Sequence, residues 1–157
     1  MGATQRLRLK VRLGPEMTGA AFPANNTADD PVQNAASLRV YTTTGDLFDN
    51  TYPMPVGNWR YLGNPGDNSG YKYKDFQLVS GPISSVLIRP GKPALIKARG
   101  PLLNFTLTND PEPVNVVLRF GNSGRLYCVQ FGGLAKFKPG GRFQSRGSDA
   151  PTACPPQ

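Results

Sequence analysis

Histidine is absent from the 157-residue chain, and glutamate occurs only as Glu16 and Glu112. The first absence removes the Ser-His-Asp and Cys-His arrangements of nucleophilic catalysis, together with every His-ligated zinc, copper or non-haem iron site. Two cysteines, Cys128 and Cys154, are too few for a four-thiolate metal site. No apolar run reaches the ~20 residues of a membrane-spanning helix. The N-terminus carries no apolar signal-peptide core, so a targeting segment is expected to have been removed or never to have existed. Nowhere do apolar residues recur at i, i+3, i+4 and i+7 over three turns, which argues against helix. No glycine-rich stretch opens a helix, so a phosphate-cradling cofactor loop has no support. The acids that lie close in sequence, Asp29 with Asp30, Asp46 with Asp49 and Asp110 with Glu112, sit beside turn formers. There, solvated loop carboxylates are expected rather than a hydrolytic pair. The reading is a non-enzymatic protein without a cofactor.

What is present is β-structure and positive charge. The 18 Gly and 16 Pro punctuate the chain at short intervals. Between them, period-two alternation predicts strands over Arg6–Leu13, Ser37–Thr44, Leu47–Met54, 57–63 and 71–75. In the C-terminal half it predicts Ile83–Arg89, Ala94–Arg99, Leu102–Thr108, Val114–Phe120, Arg125–Phe131 and Ala135–Lys138. Asn122-Ser123-Gly124 marks the clearest hairpin, because small polar residues take the positive φ of a tight turn. About ten short strands in 157 residues predict one all-β domain, an antiparallel two-sheet sandwich of jelly-roll or immunoglobulin-like type. Residues 16–35 are expected to form a long surface loop, and residues 139–157 a Gly/Pro-rich tail.

The chain carries 18 Lys and Arg against 10 Asp and Glu, a net charge of +8. In Arg6–Leu13 every even position is a cation and every odd one aliphatic, so Arg6, Arg8, Lys10 and Arg12 share one face and form a candidate anion-binding set. Nucleic acid, acidic polysaccharide or an anionic cell envelope all fit such a face. The segment Lys136–Ser148 reads as a basic, Gly-rich arm of the kind that coat proteins present to nucleic acid. A second candidate surface is aromatic: Tyr52, Trp59, Tyr61, Tyr71 and Tyr73 fall within one third of the chain among Arg60, Lys72 and Lys74, and could stack a sugar ring or a base. Set against it, a lone tryptophan in a sandwich is more often core. Asp46, Asp49 and Asp67 supply loop oxygens for a weak calcium site, with ordinary turn chemistry as the competing reading.

Cys154, flanked by prolines, is expected to staple the tail to Cys128, which implies an oxidising compartment; the alternative is two independent thiols. The strings Gly63-Asn64-Pro65, Gly70-Tyr71-Lys72-Tyr73-Lys74-Asp75, Gly81-Pro82, Ile88-Arg89-Pro90-Gly91-Lys92, Lys97-Ala98-Arg99-Gly100, Tyr127-Cys128-Val129-Gln130-Phe131-Gly132-Gly133 and Ala150-Pro151-Thr152-Ala153-Cys154-Pro155 carry a resemblance. Over residues 38–156 the chain resembles a domain of secreted proteins of myxobacteria and related bacteria that has no established activity. The resemblance implies secretion and the 128–154 disulfide. Where that family tends to carry two further cysteines, this chain has Ile83 and Arg99, so a second staple is absent. The functional expectation is an extracellular or cell-surface structural or adhesive module. It is expected to self-assemble, as a homo-oligomer or filament, if the N-terminal strand completes a neighbour's sheet. A carbohydrate-binding module and a basic, nucleic-acid-associated coat-like protein are the alternatives. Sequons at Asn25 and Asn104 matter only in a glycosylating host.

Overall fold

A computed structural model describes residues 5–12, 22–132, 134–140, 142–146 and 154, with backbone alone for residues 11, 12 and 146. Eleven strands are found among them: β1 (Arg6–Arg12), β2 (Ala36–Thr42), β3 (Asp49–Met54), β4 (Trp59–Tyr61), β5 (Tyr71–Lys74), β6 (Ile83–Ile88), β7 (Pro93–Arg99), β8 (Val114–Phe120), β9 (Leu126–Phe131), β10 (Leu134–Lys138) and β11 (Arg142–Arg146). They form an antiparallel sheet A in the order β1-β7-β6-β5-β4, an antiparallel sheet B in the order β3-β2-β8-β9, and the hairpin β10-β11. The all-β sandwich expected from the alternation is what the chain adopts.

Sidedness follows from the pairing. In sheet A, Leu9, Ile96, Val86, Tyr73 and Trp59 are successive cross-strand partners and form one inward row across all five strands. Sheet B answers with Leu38, Val40, Met54, Val116, Leu118 and Phe120, all within the same buried cluster. Trp59 meets Phe120 edge-on across the gap at 6.3 Å between ring centroids, and its indole N–H donates to the Met54 carbonyl at 3.0 Å. A buried indole with its polar atom satisfied stabilises the sandwich without a desolvation penalty.

Three expectations change. Leu102–Thr108 is no strand: Pro101–Leu103 makes a single 3-10 turn, entered through Gly100 at φ 95° and left through Asn104 at φ 50°, and left-handed residues on both sides prevent extended pairing. Residues 142–146, read as part of a tail, pair as β11 with β10, and Phe143 stands opposite Phe137. The described part of the 16–35 segment is no plain surface loop either, because it contains the four-residue helix α1 (Pro31–Asn34) and buries Asn25, Asp29 and Asp30. The Asp30 carboxylate accepts from the backbone N–H of Val32 and of Asn26 and from the Tyr61 hydroxyl, at 2.9, 2.8 and 2.7 Å, and this satisfies a fully buried acid. Leu13, residues 16–21 and most of the tail lie outside the described residues. The disulfide Cys128–Cys154 is formed, with the two Cα atoms 5.5 Å apart.

Candidate functional site

The N-terminal alternation places the cations where its period requires. β1 pairs along its whole length with β7 of the same chain, so it completes its own sheet and forms one border of sheet A. Leu7 and Leu9 pack against the core, while Arg6, Arg8 and Lys10 project outward; the side chain of Arg12 lies outside the described residues.

Pairing then assembles a larger surface than the sequence run. Arg6 stands opposite Arg99. The next outward row is Arg8, Lys97, Ser85 and Lys74, and the one after it is Lys10, Leu95, Leu87, Lys72 and Arg60 across all five strands. With strands ~4.8 Å apart and outward residues recurring every ~7 Å, these rows form a cationic grid carried by β1, β7, β5 and β4, on both sides of the uncharged strand β6. Sheet A strands hold nine of the chain's 18 Lys and Arg and no Asp or Glu. Three cross-strand pairs, Arg6 with Arg99, Arg8 with Lys97 and Lys72 with Arg60, set cation directly against cation. Like charges so placed repel and destabilise the sheet. The arrangement concentrates positive potential over one face and leaves its neutralisation to something outside the strands.

The aromatic candidates divide differently. Tyr52, Trp59, Tyr71 and Tyr73 are at most 3% exposed and belong to the core, so they offer no stacking platform. The alternation that sends Arg60, Lys72 and Lys74 outward sends Trp59, Tyr71 and Tyr73 inward. Their hydroxyls are engaged inside: Tyr52 donates to the Leu103 carbonyl at 2.5 Å, and Tyr71 donates to that of Pro23 at 2.9 Å. Burial pushes the Tyr52 phenol up to about 12 and raises that of Tyr71 as well. Tyr61 alone is half-buried, and it is tied to Asp30.

The acids proposed for calcium are separately engaged. Asp46 accepts from the Thr106 hydroxyl at 2.5 Å, the Thr108 N–H at 2.7 Å, and the backbone and side-chain N–H of Asn109 at 3.1 and 2.8 Å. These donors, the Thr106 hydroxyl foremost, hold its carboxyl well below the ordinary value. Asp49 takes the Arg39 guanidinium in a two-point pair at 2.8 and 2.7 Å, and Asp67 accepts from the Asn64 N–H at 2.9 Å within its own turn. Asp46 therefore fastens the 104–110 segment that sequence alternation reads as a strand. Among the described residues no group of three His, Cys, Asp or Glu side chains is disposed around a common metal position.

Of the two sequons, Asn25 is buried and donates its amide to the Tyr71 hydroxyl at 2.8 Å, whereas Asn104 is exposed. The fold and its surface define a class: an antiparallel β-sandwich module with one cationic sheet face. Comparison with protein-family models, curated proteins and solved structures finds no match.

Proposed function

We propose that the chain is a non-enzymatic, extracellular adhesive module that attaches to an anionic cell-envelope surface through the outer face of sheet A. The observation that carries this reading is the set of three directly opposed cation pairs on five strands without a single acid. A surface under no demand beyond solubility is served by interspersed charges of both signs, and opposed cations cost stability. An anionic partner offsets that cost when it binds. The disulfide supports an oxidising, extracellular setting.

Retention on immobilised dextran sulfate, compared with uncharged dextran over a salt series, tests the reading. Retention confined to the sulfated polymer, falling steeply with salt and lost in Arg8→Glu/Lys97→Glu, is expected. Equal behaviour on the two polymers, or indifference to the double reversal, overturns it. A single-stranded nucleic acid that outcompetes dextran sulfate at matched charge would move the reading to a coat-like nucleic-acid-associated protein.

A further inference from the structure

Apart from Leu95 in mid-β7, which is 38% exposed, the exposed large apolar side chains around sheet A gather at one end of it. Val56, Phe76, Val79 and Leu102, which are 43, 61, 82 and 60% exposed, all come from connections at the end of the sheet where Arg6, Arg99 and Lys74 lie. Those connections are the 3-10 turn Val56–Asn58 leading into β4, the 75–82 loop between β5 and β6, and the turn Pro101–Leu103 after β7.

The three segments are cross-tied, which holds these side chains outward. Buried Asp75 accepts from the N–H groups of Val79 and Ser80 at 3.1 and 2.7 Å and shapes the turn that presents Phe76 and Val79. Asn58 donates to the Ser80 hydroxyl at 3.1 Å and so joins the first segment to the second. Arg99 donates to the Phe76 carbonyl at 2.9 Å, and the Lys74 ammonium lies 5.7 Å from the Phe76 ring centroid. At Gly100 a side chain would meet Leu78, which places the third segment against the second.

We propose that this end is a membrane-docking tip: the loops enter the headgroup region of a bilayer bearing anionic lipids, while the adjacent cationic rows hold the headgroups. This rests on the reading of the cationic face as an envelope-binding surface and names its partner. Charge complementarity selects the occupant. The strands contribute only cations next to the tip, as an anionic leaflet requires, and protruding apolar side chains at a polar rim match the boundary between headgroups and acyl chains. A hydrophilic polyanion would meet the cations and gain nothing from Val79 or Leu102.

Flotation with vesicles tests the docking, with dextran sulfate retention measured on the same proteins. Wild type is expected to float with equimolar phosphatidylcholine and phosphatidylglycerol and to stay behind with phosphatidylcholine alone. Phe76→Ser/Val79→Ser, and independently Leu102→Ser, should weaken flotation about tenfold or more through lost apolar burial and leave dextran sulfate retention unchanged. Arg8→Glu/Lys97→Glu should lose both. Vesicle binding by the apolar variants equal to wild type, or retention on dextran sulfate without any flotation, overturns the tip and leaves the envelope-binding reading standing. Failure of wild type in both assays overturns both. An unchanged thermal midpoint in each variant confirms that folding is intact.

Discussion

The outer faces of the two sheets arise from the same alternation and end in opposite conditions. On sheet B, Arg39 is paired with Asp49 and lies 4.5 Å from the centre of the Tyr41 ring. Val117 and Cys128, cross-strand partners on the outward side, are only 2 and 1% exposed, and the bond to Cys154 ties that face to the C-terminal segment. On sheet A the outward rows carry cations opposite cations, and the strands offer no acid. Period two decides which side chains point out, but what those side chains meet depends on the rest of the chain. On sheet B's outer side Arg39 is neutralised and Val117 and Cys128 are covered from within, whereas the outer side of sheet A is left to a partner.

The strongest way to break this contrast is to release the cover on sheet B. Cys128→Ala/Cys154→Ala opens a loop with a sequence separation of 26. By the chain-entropy relation that removes about 3.5 kcal/mol, a large share of a small domain's stability. Urea unfolding should show the loss as a lower midpoint, while dextran sulfate retention of the still-folded protein stays the same. An unchanged midpoint would mean that the staple contributes little to sheet B.

A sharper test acts on sheet A. Lys97→Glu places a carboxylate opposite Arg8 and turns a repelling pair into an attracting one. Stability should rise by about 0.2–1 kcal/mol. Retention on dextran sulfate should fall about tenfold, equivalent to about 1.4 kcal/mol of binding. Opposite signs for stability and binding are the signature of a face kept cationic for a partner. The matched change on sheet B, Arg119→Glu, should leave binding unaltered. If Lys97→Glu destabilises the fold, the opposed cations are not in conflict and the face carries no mark of a partner.

How far this was legible in the sequence differs between local and distant relations. The sidedness of β1 could be read directly, since Arg6, Arg8 and Lys10 alternate with Leu7 and Leu9 and the structure keeps them apart. The Asn122–Gly124 hairpin was equally plain, although the positive φ values that join β8 to β9 fall on Gly121 and Gly124 and not on Asn122 or Ser123. The cationic grid was not, because its rows join five strands from separate stretches of chain. The aromatic cluster was ambiguous because alternation separates Trp59, Tyr71 and Tyr73 from Arg60, Lys72 and Lys74 without showing what covers the aromatic side; the packing of sheet A against sheet B buries the rings. Leu102–Thr108 misled for a different reason. Its apolar/polar alternation is genuine, but its polar groups are engaged by distant side chains, as when Asn50 donates to the Leu103 and Asn104 carbonyls and Asp46 clasps Thr106 to Asn109.

That clasp makes part of the fold's stability depend on pH. Hydrogen bonds from Thr106, Thr108 and Asn109 hold the Asp46 carboxyl below its ordinary 3.8, and Arg39 lowers that of Asp49. A depressed folded value means that the unfolded chain takes up the proton first. The contribution of both acids is therefore fully present above the ordinary value and is lost as pH falls below it. Thermal unfolding between pH 6 and pH 2 should show wild type losing stability on acidification, with Asp46→Asn less stable at the upper end and less sensitive to acid. Parallel curves for the two proteins would mean that the clasp adds nothing to the fold.

The smallest effect belongs to the ion pair itself. Arg39 and Asp49 meet in a two-point geometry, but the Asp49 side chain is 51% exposed, so water and salt screen the attraction. Arg39→Ala should cost about 0.2–1 kcal/mol, diminishing with added salt, and should leave polyanion retention where it was. Replacing Arg8 by alanine makes the opposite case: stability should hold or rise slightly as Lys97 loses its opposing cation, while retention weakens. Two arginines on outward strand positions of one sandwich thus differ in what removal exposes, a carboxylate without its partner on sheet B and a gap in a binding surface on sheet A. Should both alanine variants change stability in the same direction and leave retention equal, the two outer faces would be equivalent and the cationic grid would have no role beyond solubility.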